Sequence, residues 1–258
     1  MKKILICGYK GFIGRYLYNE LKKKFIVHKF SSNIKNDKLK YIEQIIKNNK
    51  PDYFLYLSFV KKPKENKDIF INMELPKMIL NVLEKNNYNC KFIYFSSISV
   101  LFKNYENIYI SQKKISEHNI ATYRNVSIIR MPLILSNHIE GDLKKLNKFV
   151  NFFSFVSLIP FRGSNLNYIN IGPLVRTILQ IINSERKYKY YNLIGKKNIY
   201  LYEIAKSISK NKLCVFIPTD FIFKILLSKI SPALIGINYK KEIYLKEIET
   251  RNTKNIYV

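Results

Sequence analysis

The sequence predicts an α/β fold in which a doubly wound parallel sheet is followed by a small C-terminal lobe. Short apolar runs alternate with longer amphipathic runs along the first half of the chain, which is typical of stacked βαβ units. A glycine-rich turn joins the first apolar run to the first amphipathic run. The chain has 258 residues, of which 47% are hydrophobic, and this suffices for one large domain with a full-sized core.

The first half of the chain contains five expected strands with helices between them. The continuous apolar run Lys3–Cys7 predicts the first strand. The other expected strands are Phe25–Phe30, Tyr53–Leu57, Lys91–Phe95 and Val126–Arg130. Helical periodicity predicts helices over Phe12–Lys24, Leu39–Asn48, Ile69–Asn86 and Ile108–Ala121. This order predicts that the strands run parallel in one sheet.

The second half of the chain has a looser pattern, which begins at Pro132. Turn-like stretches occupy 137–141 and 162–165. Helices are expected over Leu174–Ile182 and Leu201–Ser209, and extended segments over Tyr190–Ile194 and Leu213–Ile217. We therefore expect residues 1–165 to form the main domain. Residues 166–258 are expected to form a small lobe that is interleaved with the end of the sheet.

The chain carries a formal net charge of +27. Clustered lysines and arginines would indicate nucleic-acid binding, because they release counterions from phosphates. Here the lysines are spread along the whole chain, and no run exceeds Lys22-Lys23-Lys24. We therefore expect no nucleic-acid partner. A positive surface of this kind attracts small anionic molecules such as dinucleotides and nucleotide sugars.

Cysteine usage and hydropathy indicate a cytoplasmic protein. Cys7, Cys90 and Cys214 are odd in number, far apart and without metal-like spacing, which favours a reducing compartment. No apolar run reaches the roughly 18 to 20 residues of a membrane-spanning helix. The apolar N-terminus runs directly into a glycine turn, so we expect a strand there and not a signal peptide. The three histidines have no spacing that suggests a metal site.

The glycine turn has the spacing Gly8-x-x-Gly11-x-x-Gly14. In a dinucleotide-binding turn the first glycine permits the tight turn and the second lets the backbone approach the pyrophosphate. The third glycine lets the helix pack closely on the strand. The backbone N–H groups of Phe12 and Ile13, at the start of the helix, would hold the phosphate charge. Since a strand precedes the turn and a helix follows it, the motif predicts a dinucleotide site.

The end of the second strand favours NADP over NAD. Sites that prefer NAD place an acid there to bind the ribose 2′-hydroxyl, whereas the stretch 28–33 contains none. Lys10 and Lys29, together with Ser31, offer charge-assisted hydrogen bonds to a 2′-phosphate. The alternative is that both lysines simply belong to a lysine-rich surface.

Tyrosine and lysine four residues apart lie on one helix face, where the ammonium lowers the pKa of the phenol. The spacing occurs at Tyr18/Lys22, Tyr109/Lys113 and Tyr202/Lys206, so the pattern alone is weak. Only Tyr109 opens a helix that follows the strand ending at Ser96-Ser97. Ligands of open α/β sheets bind beyond the carboxyl ends of the strands. We therefore predict that Ser97, Tyr109 and Lys113 form a catalytic group; the alternative is a solvated helix face.

Further motifs accompany the glycine turn and the Tyr109–Lys113 helix. They are Pro51–Ser58, Asn72, Phe92–Val100, Ile128–Pro132, Tyr168–Ile171 and Tyr191–Leu193. In this order they resemble the extended short-chain dehydrogenase/reductase family, the NAD-dependent epimerase/dehydratase group that modifies nucleotide sugars. The likeness extends over roughly residues 1 to 210.

The resemblance implies a Rossmann-type dinucleotide-binding domain over 1–165 and a substrate lobe over 166–258. It implies that Tyr109 is the acid/base, that Lys113 orients the nicotinamide ribose and tunes Tyr109, and that Ser97 polarises the substrate oxygen. The residues expected to hold the cofactor are Gly8, Lys10, Gly11, Phe12, Ile13, Gly14, Lys29, Ser31, Leu57, Ser58 and Lys113. The implied function is the reduction or epimerisation of a nucleotide sugar in surface-polysaccharide biosynthesis, and a homodimer would be in keeping with the family.

Departures from the family narrow the expected reaction. Dehydratases carry Asp-Glu directly after the catalytic threonine, to remove a proton and expel water. This chain has Ile98 and Ser99 at those positions, which have no acid/base capacity, so we do not expect a 4,6-dehydratase. Leu101-Phe102 replaces the usual Tyr-Gly, and Tyr109 follows Ser97 after only twelve positions. A compact ketoreductase or an epimerase fits these changes. The alternative from another class is a non-catalytic NAD(P)-binding Rossmann protein with a sensing or interaction role.

Overall fold

Strands and helices alternate from the first residues to the end of the fifth strand. This computed structural model describes residues 1–34, 37–102, 107–141, 143–153, 156–161, 165–185, 187–209, 212–218 and 252–258. The first five strands are β1 (Lys3–Cys7), β2 (Ile26–Phe30), β3 (Tyr53–Tyr56), β4 (Lys91–Ser97) and β5 (Val126–Met131). The helices between them include α1 (Phe12–Leu21), α2 (Lys38–Asn49) and α5 (Ile108–Ala121).

The central sheet has seven strands in the order β12-β9-β5-β4-β3-β1-β2, where β9 is Tyr190–Ile194 and β12 is Thr253–Tyr257. The pairs from β2 to β9 are parallel; Ile4, for example, lies opposite Val27 on one side and Tyr53 on the other. The predicted doubly wound α/β fold is therefore confirmed. Because the strands are parallel, the carboxyl ends of β1, β2, β3 and β4 lie at one edge of the sheet.

A helix with an internal π-turn connects β3 to β4. It consists of α3 (Asn66–Ile69), the π-turn Phe70–Glu74 and α4 (Leu75–Lys85). Pro76 has no N–H to donate to the carbonyl of Asn72, four residues earlier. The hydroxyl of Ser116 on α5 donates to that carbonyl instead, at 2.7 Å. The proline accounts for the interruption, and the freed carbonyl ties this helix to α5.

Aromatic side chains fill the core between the sheet and its helices. The rings of Phe54 and Phe92 stack with centroids 5.5 Å apart, and Tyr56 stacks on Tyr94 at 6.0 Å. These rings are fully buried, together with apolar residues of α2 and α4. Burial of each such side chain stabilises the fold by about 2 kcal/mol, which holds β3 and β4 at the centre of the sheet.

The contacts divide the chain into two compact units. The first contains Met1–Met131, Leu174–Leu193 and the part of strand β12 that ends at Ile256; most of α7 (Ile171–Asn183) belongs to it. The second contains Pro132–Pro173, the described residues from Ile194 to Pro218 and the last two residues. Its elements are β6 (Leu133–Leu135), α6 (Leu143–Val150), β7 (Val156–Phe161), β8 (Asn165–Asn170), β10 (Asn198–Tyr200), α8 (Leu201–Ile208) and β11 (Leu213–Pro218).

The second unit contains two small sheets, β10-β8-β6 and β11-β7, and its own apolar cluster around Leu146 and Ile204. The division at residue 165 into cofactor and substrate parts stays a prediction. Residues 162–164 of the expected turn lie outside the described residues. Among the residues that are described, no helix is long and apolar enough to cross a membrane.

Candidate active site

The glycine turn connects β1 to α1 through two close backbone contacts. Gly8 has a φ of +84°, and a Cβ there would lie 2.7 Å from the backbone nitrogen of Ser58. A Cβ on Gly14 would lie 2.1 Å from the carbonyl oxygen of Gly8. Both distances are far below van der Waals contact. The first and third glycines are therefore required by the path of the backbone itself.

Gly11 has more room beside it than the other two glycines, although a Cβ would still make one tight contact there. A Cβ there would meet only the carbonyl oxygen of Gly8 within 4 Å, at 3.2 Å. Gly11 is the N-cap of α1, where no side chain caps the helix and no acid occupies the first turn. The N–H groups at the start of a helix attract anions. The turn at Gly11, Phe12 and Ile13 thus fits a pyrophosphate.

Lys10 and Lys29 converge on the ring of Tyr9. The ammonium of Lys29 lies 5.2 Å from the centroid of Tyr9 and 4.9 Å from that of Tyr18. The ammonium of Lys10 lies 5.9 Å from the centroid of Tyr9. Ser31 directly follows β2, and its hydroxyl accepts a hydrogen bond from the backbone N–H of Asn33 at 3.3 Å. The two lysines therefore form one cationic cluster beside the glycine turn.

Leu57 and Ser58 lie just past the end of β3. The N–H of Leu57 donates to the carbonyl of Cys7 at 2.9 Å. The hydroxyl of Ser58 donates to that of Ser32 at 3.2 Å and lies 3.1 Å from the thiol of Cys7. Burial raises the pKa of the Cys7 thiol to about 12, so it stays protonated. Ser58 thus joins the carboxyl ends of β1, β2 and β3.

Ser97 is the last residue of β4 and caps a short 3-10 turn, Ile98–Leu101. Its hydroxyl accepts from the N–H of Ser99 at 3.2 Å and donates to the hydroxyl of Ser99 at 3.1 Å. Ser97 is 9% exposed. The hydroxyl therefore lies at the carboxyl end of β4, and its proton is directed to the hydroxyl of Ser99.

Tyr109 lies in the first turn of α5, whose start is set by Asn107. The side chain of Asn107 accepts a hydrogen bond from the N–H of Ile110 at 3.0 Å, as an N-cap residue does. Tyr109 is half-buried, and its ring meets that of Phe59 edge to face with centroids 5.3 Å apart. One helical turn later, Lys113 lies on the same face of α5.

Lys113 is 4% exposed and has several partners. Its ammonium donates to the carbonyl of Phe95 at 2.7 Å and to the hydroxyl of Tyr94 at 3.3 Å. The same ammonium lies 3.9 Å from the centroid of Phe59. Burial lowers the pKa of Lys113 to about 7, with a smaller lowering from Lys61 and an opposing effect from Glu117.

Asn72 holds the segment after β3 against α5. Its side chain accepts from the N–H of Val60 at 2.7 Å and donates to the carbonyl of Val60 at 2.9 Å. It also donates to the side chain of Gln112 at 2.6 Å. Asn72 is fully buried within the π-turn. A π-turn of this kind often marks a functional position.

The sequence does not indicate the partners of Asn72, and it does not indicate Phe59. Asn72 belongs to the motifs that resemble the family, but its partners Val60 and Gln112 carry no sequence signal. Phe59 was missed altogether, because a single phenylalanine after a strand indicates ordinary packing.

A buried ion pair holds the C-terminal half of α5 on β5. Arg130 donates to Glu117 at 2.6 Å, and the side chains are 11% and 7% exposed. Arg130 also lies 3.5 Å from the side-chain oxygen of Asn192 on β9. Of the other tyrosine–lysine pairs, Tyr18/Lys22 lies at the end of α1 and Tyr202/Lys206 lies on α8 in the second unit. Within the described residues, no three metal-ligating His, Cys, Asp or Glu side chains gather.

Comparison with known proteins gives matches among solved structures. No known family profile and no curated protein matches the sequence. A dTDP-4-dehydrorhamnose reductase from Yersinia enterocolitica is 18% identical, with 85% of each chain covered and a TM-score of 0.68. A UDP-glucose 4-epimerase from Thermus thermophilus, in complex with NAD, is 14% identical; 92% of this chain and 95% of that chain are covered, with a TM-score of 0.65.

The structure of a GDP-D-glycero-L-gluco-heptose synthase from Campylobacter jejuni, determined in the presence of NADPH, is also similar to that of this chain. It is 13% identical, 84% of this chain and 88% of that chain are covered, and the TM-score is 0.65. At these identities the likeness shows the fold. The chain therefore has the Rossmann-like α/β fold that these solved enzymes share.

Proposed function

We propose that this chain is an NAD(P)-dependent oxidoreductase of the extended short-chain dehydrogenase/reductase type that acts on a nucleotide-activated sugar. The observation that carries the proposal is the arrangement on α5, where Tyr109 and Lys113 share contact with Phe59. Lys113 also bonds to the backbone of β4, the strand that ends at Ser97. A compact ketoreductase is the favoured form, and an epimerase is the second.

The cofactor site consists of the glycine turn and the ends of β2 and β3. The turn from Gly8 to Gly14 would receive the pyrophosphate, and Leu57 and Ser58 would line the path toward α5. Gly11 supports this placement, because a Cβ there would meet only one atom, and the cap of α1 carries no side-chain hydrogen bond. A nicotinamide cofactor, when bound, supplies or accepts the hydride.

The side chains of this chain transfer the proton that accompanies the hydride. In the reducing direction the hydroxyl of Tyr109 donates its proton to the oxygen of the substrate carbonyl. The hydroxyl of Ser97 turns from Ser99 and donates a hydrogen bond to the same oxygen. The ammonium of Lys113 stabilises the phenolate that Tyr109 becomes, which is the electrostatic task of such a pair. In the oxidising direction each step reverses.

The cationic cluster supports NADP as the preferred cofactor. Lys10 and Lys29 on the ring of Tyr9 would pair with a 2′-phosphate. The similar solved enzymes include one with NAD and one with NADPH, so the preference depends on this chain's own lysines. The described cysteines, Cys7, Cys90 and Cys214, are free thiols, which supports a reducing cytoplasmic setting.

The test is turnover of a panel of dTDP-, UDP- and GDP-linked sugars and their 4-keto derivatives. The loss of NADPH absorbance measures the rate. We expect NADPH-dependent reduction of at least one keto sugar. Tyr109→Phe removes the proton donor, so its kcat falls about a hundredfold or more while NADPH binding stays. The control is Tyr202→Phe on α8, where a tyrosine also precedes a lysine by four residues. We expect this variant to leave kcat unchanged.

Two results would count against catalysis at this site. Full turnover by Tyr109→Phe would exclude Tyr109 as the acid/base. NADPH binding without turnover of any sugar in the panel would favour the non-catalytic dinucleotide-binding alternative.

A further inference from the structure

Phe59 contacts both side chains that the proposed reaction needs on α5. Its ring centroid lies 5.3 Å from that of Tyr109 and 3.9 Å from the ammonium of Lys113. Phe59 is half-buried and follows the end of β3 by three residues. Its position gives it a direct influence on the geometry of the tyrosine–lysine pair.

The partners of Lys113 occupy the donors of its ammonium. A lysine ammonium has three N–H groups and no acceptor. One is directed to the carbonyl of Phe95 and one to the hydroxyl of Tyr94, while the face of Phe59 covers the ammonium at a cation–π distance. Since Lys113 is 4% exposed, donation to a ribose hydroxyl requires one of these partners to give way.

Two of the three partners are held firmly by the sheet. The carbonyl of Phe95 belongs to β4, where Phe95 pairs with Ile129 of β5. Tyr94 is fully buried and stacks on Tyr56. Displacing either would disrupt the core. Phe59 is the partner outside the sheet and the least buried of the three.

The backbone beside Phe59 is also held, which limits how its ring can move. Both backbone groups of Val60 bond to the buried side chain of Asn72. The segment therefore stays on α5, and rotation of the Phe59 side chain is the motion that remains.

We propose that Phe59 is a positioning residue whose ring holds the ammonium of Lys113 and rotates aside when a nicotinamide dinucleotide binds. The proposal depends on the proposed function, since it takes this dinucleotide as the ligand. Rotation costs the cation–π contact, so Phe59→Ala is expected to bind NADPH about fivefold more tightly than the wild-type chain.

Nuclear magnetic resonance of the full chain with ¹³C-labelled lysine tests the ring position without relying on activity. The Cε–Hε signals of Lys113 are identified by their absence in Lys113→Met. This group adjoins the ammonium, which lies 3.9 Å from the centroid of Phe59, so we expect the ring current of Phe59 to displace its signals upfield. The ring of Tyr94 also lies 4.6 Å from this ammonium and stays in place. We therefore expect the signals to move downfield, toward the usual lysine position, in Phe59→Ala and also in the wild-type chain when NADPH is added.

Phe70→Ala is the matched control, because Phe70 has an ammonium, that of Lys38, at the same 3.9 Å. It removes an equal contact and leaves the Lys113 signals and the affinity for NADPH unchanged. If Phe59→Ala fails to fold, Phe59→Leu keeps apolar packing without a ring, and the same shift of the Lys113 signals is expected.

The proposal is overturned if the Lys113 signals stay upfield while NADPH is bound, or if Phe59→Ala binds NADPH no more tightly than the wild type. Signals unchanged in Phe59→Ala would refute the contact itself, whether or not a dinucleotide binds. Failure of both proteins to bind NADPH and NADH would refute the proposed function and, with it, the role of Phe59.

Discussion

Lys113 combines an ammonium with almost complete burial. Water is excluded by the helix and by the ring of Phe59, and burial lowers the pKa of Lys113 to about 7. In an unfolded chain the pKa of lysine is about 10.4. The folded protein therefore binds fewer protons than the unfolded chain between these two values, and its stability rises with pH across that range.

Substitution of Lys113 by methionine isolates this dependence. Below pH 7 the wild-type chain bears the full cost of a buried charge, and Lys113→Met removes that cost. The free energy of unfolding of the wild type relative to Lys113→Met is expected to rise by about 2 kcal/mol from pH 6 to pH 9. Urea unfolding at both pH values measures it, with Lys114→Met as control. An equal difference at the two pH values would show that Lys113 does not titrate in this range.

Lys29 is the residue on which the proposed preference for NADP depends most. Its ammonium lies close to the rings of both Tyr9 and Tyr18, and we expect it to pair with a 2′-phosphate. Lys29→Gln should weaken NADPH binding about tenfold and leave NADH binding unchanged. Lys24→Gln, an exposed lysine before β2, should change neither constant. If the binding of NADPH and NADH were weakened equally, Lys29 would act through folding or through the overall positive charge, and not through a 2′-phosphate.

At the scale of elements, the sequence predicts the first unit far better than the second. The strands Lys3–Cys7 and Tyr190–Ile194 and the helix Ile108–Ala121 have the predicted bounds. Buried parallel strands are continuous apolar runs, so their signal is strong. The helix expected from Ile69 begins at Asn66, because a capping box formed by Glu65 and Asp68 extends it.

The sequence analysis predicts neither α6 nor β7, and several of the other missed elements are short or polar. β6 and β10 have three residues each, too few for a periodic pattern. β8 contains three asparagines among its six residues, and asparagine is typical of turns. β12 begins with the polar residues Thr253, Lys254 and Asn255. Their stability comes from pairing across the sheet. In addition, the side chain of Asn167 on β8 bonds to both backbone groups of Gly195. Such pairing between distant residues has no local sequence signal.

In the candidate site, too, local features could be predicted from the sequence and contacts between distant residues could not. The glycines and the Tyr109–Lys113 spacing depend on local geometry, so the sequence could indicate them. The contacts of Phe59 with Lys113 and of Asn72 with Val60 and Gln112 join three separate elements. The packing of α5 against the end of β3 decides these contacts, and only the structure shows them.

The glycine turn offers a test in which two similar substitutions have different effects. Gly14→Ala would place a methyl group 2.1 Å from the carbonyl of Gly8, so we expect a loss of about 3 kcal/mol in the free energy of unfolding. Gly11→Ala meets only one atom, at 3.2 Å, and should keep most of its stability while NADPH binding falls. Thermal unfolding and NADPH titration of both variants measure this. Unchanged binding in Gly11→Ala would place the pyrophosphate elsewhere.

In the molecule as a whole, a chain of net charge +27 carries, in its first unit, the glycine turn that we propose binds a pyrophosphate. A positive field of this size raises the local concentration of anions and is screened by salt. The similar solved enzymes carry names that denote work on dTDP-, UDP- and GDP-linked sugars, and the proposed substrate is of that anionic class.

We propose that this fold binds a nicotinamide dinucleotide and that it prefers NADP. Calorimetric titration of the full chain with NADPH and with NADH at physiological salt tests it most directly. We predict one NADPH bound per chain, more tightly than NADH. Tighter binding of NADH would contradict the preference assigned to Lys10 and Lys29, and absence of binding by both would contradict the proposal.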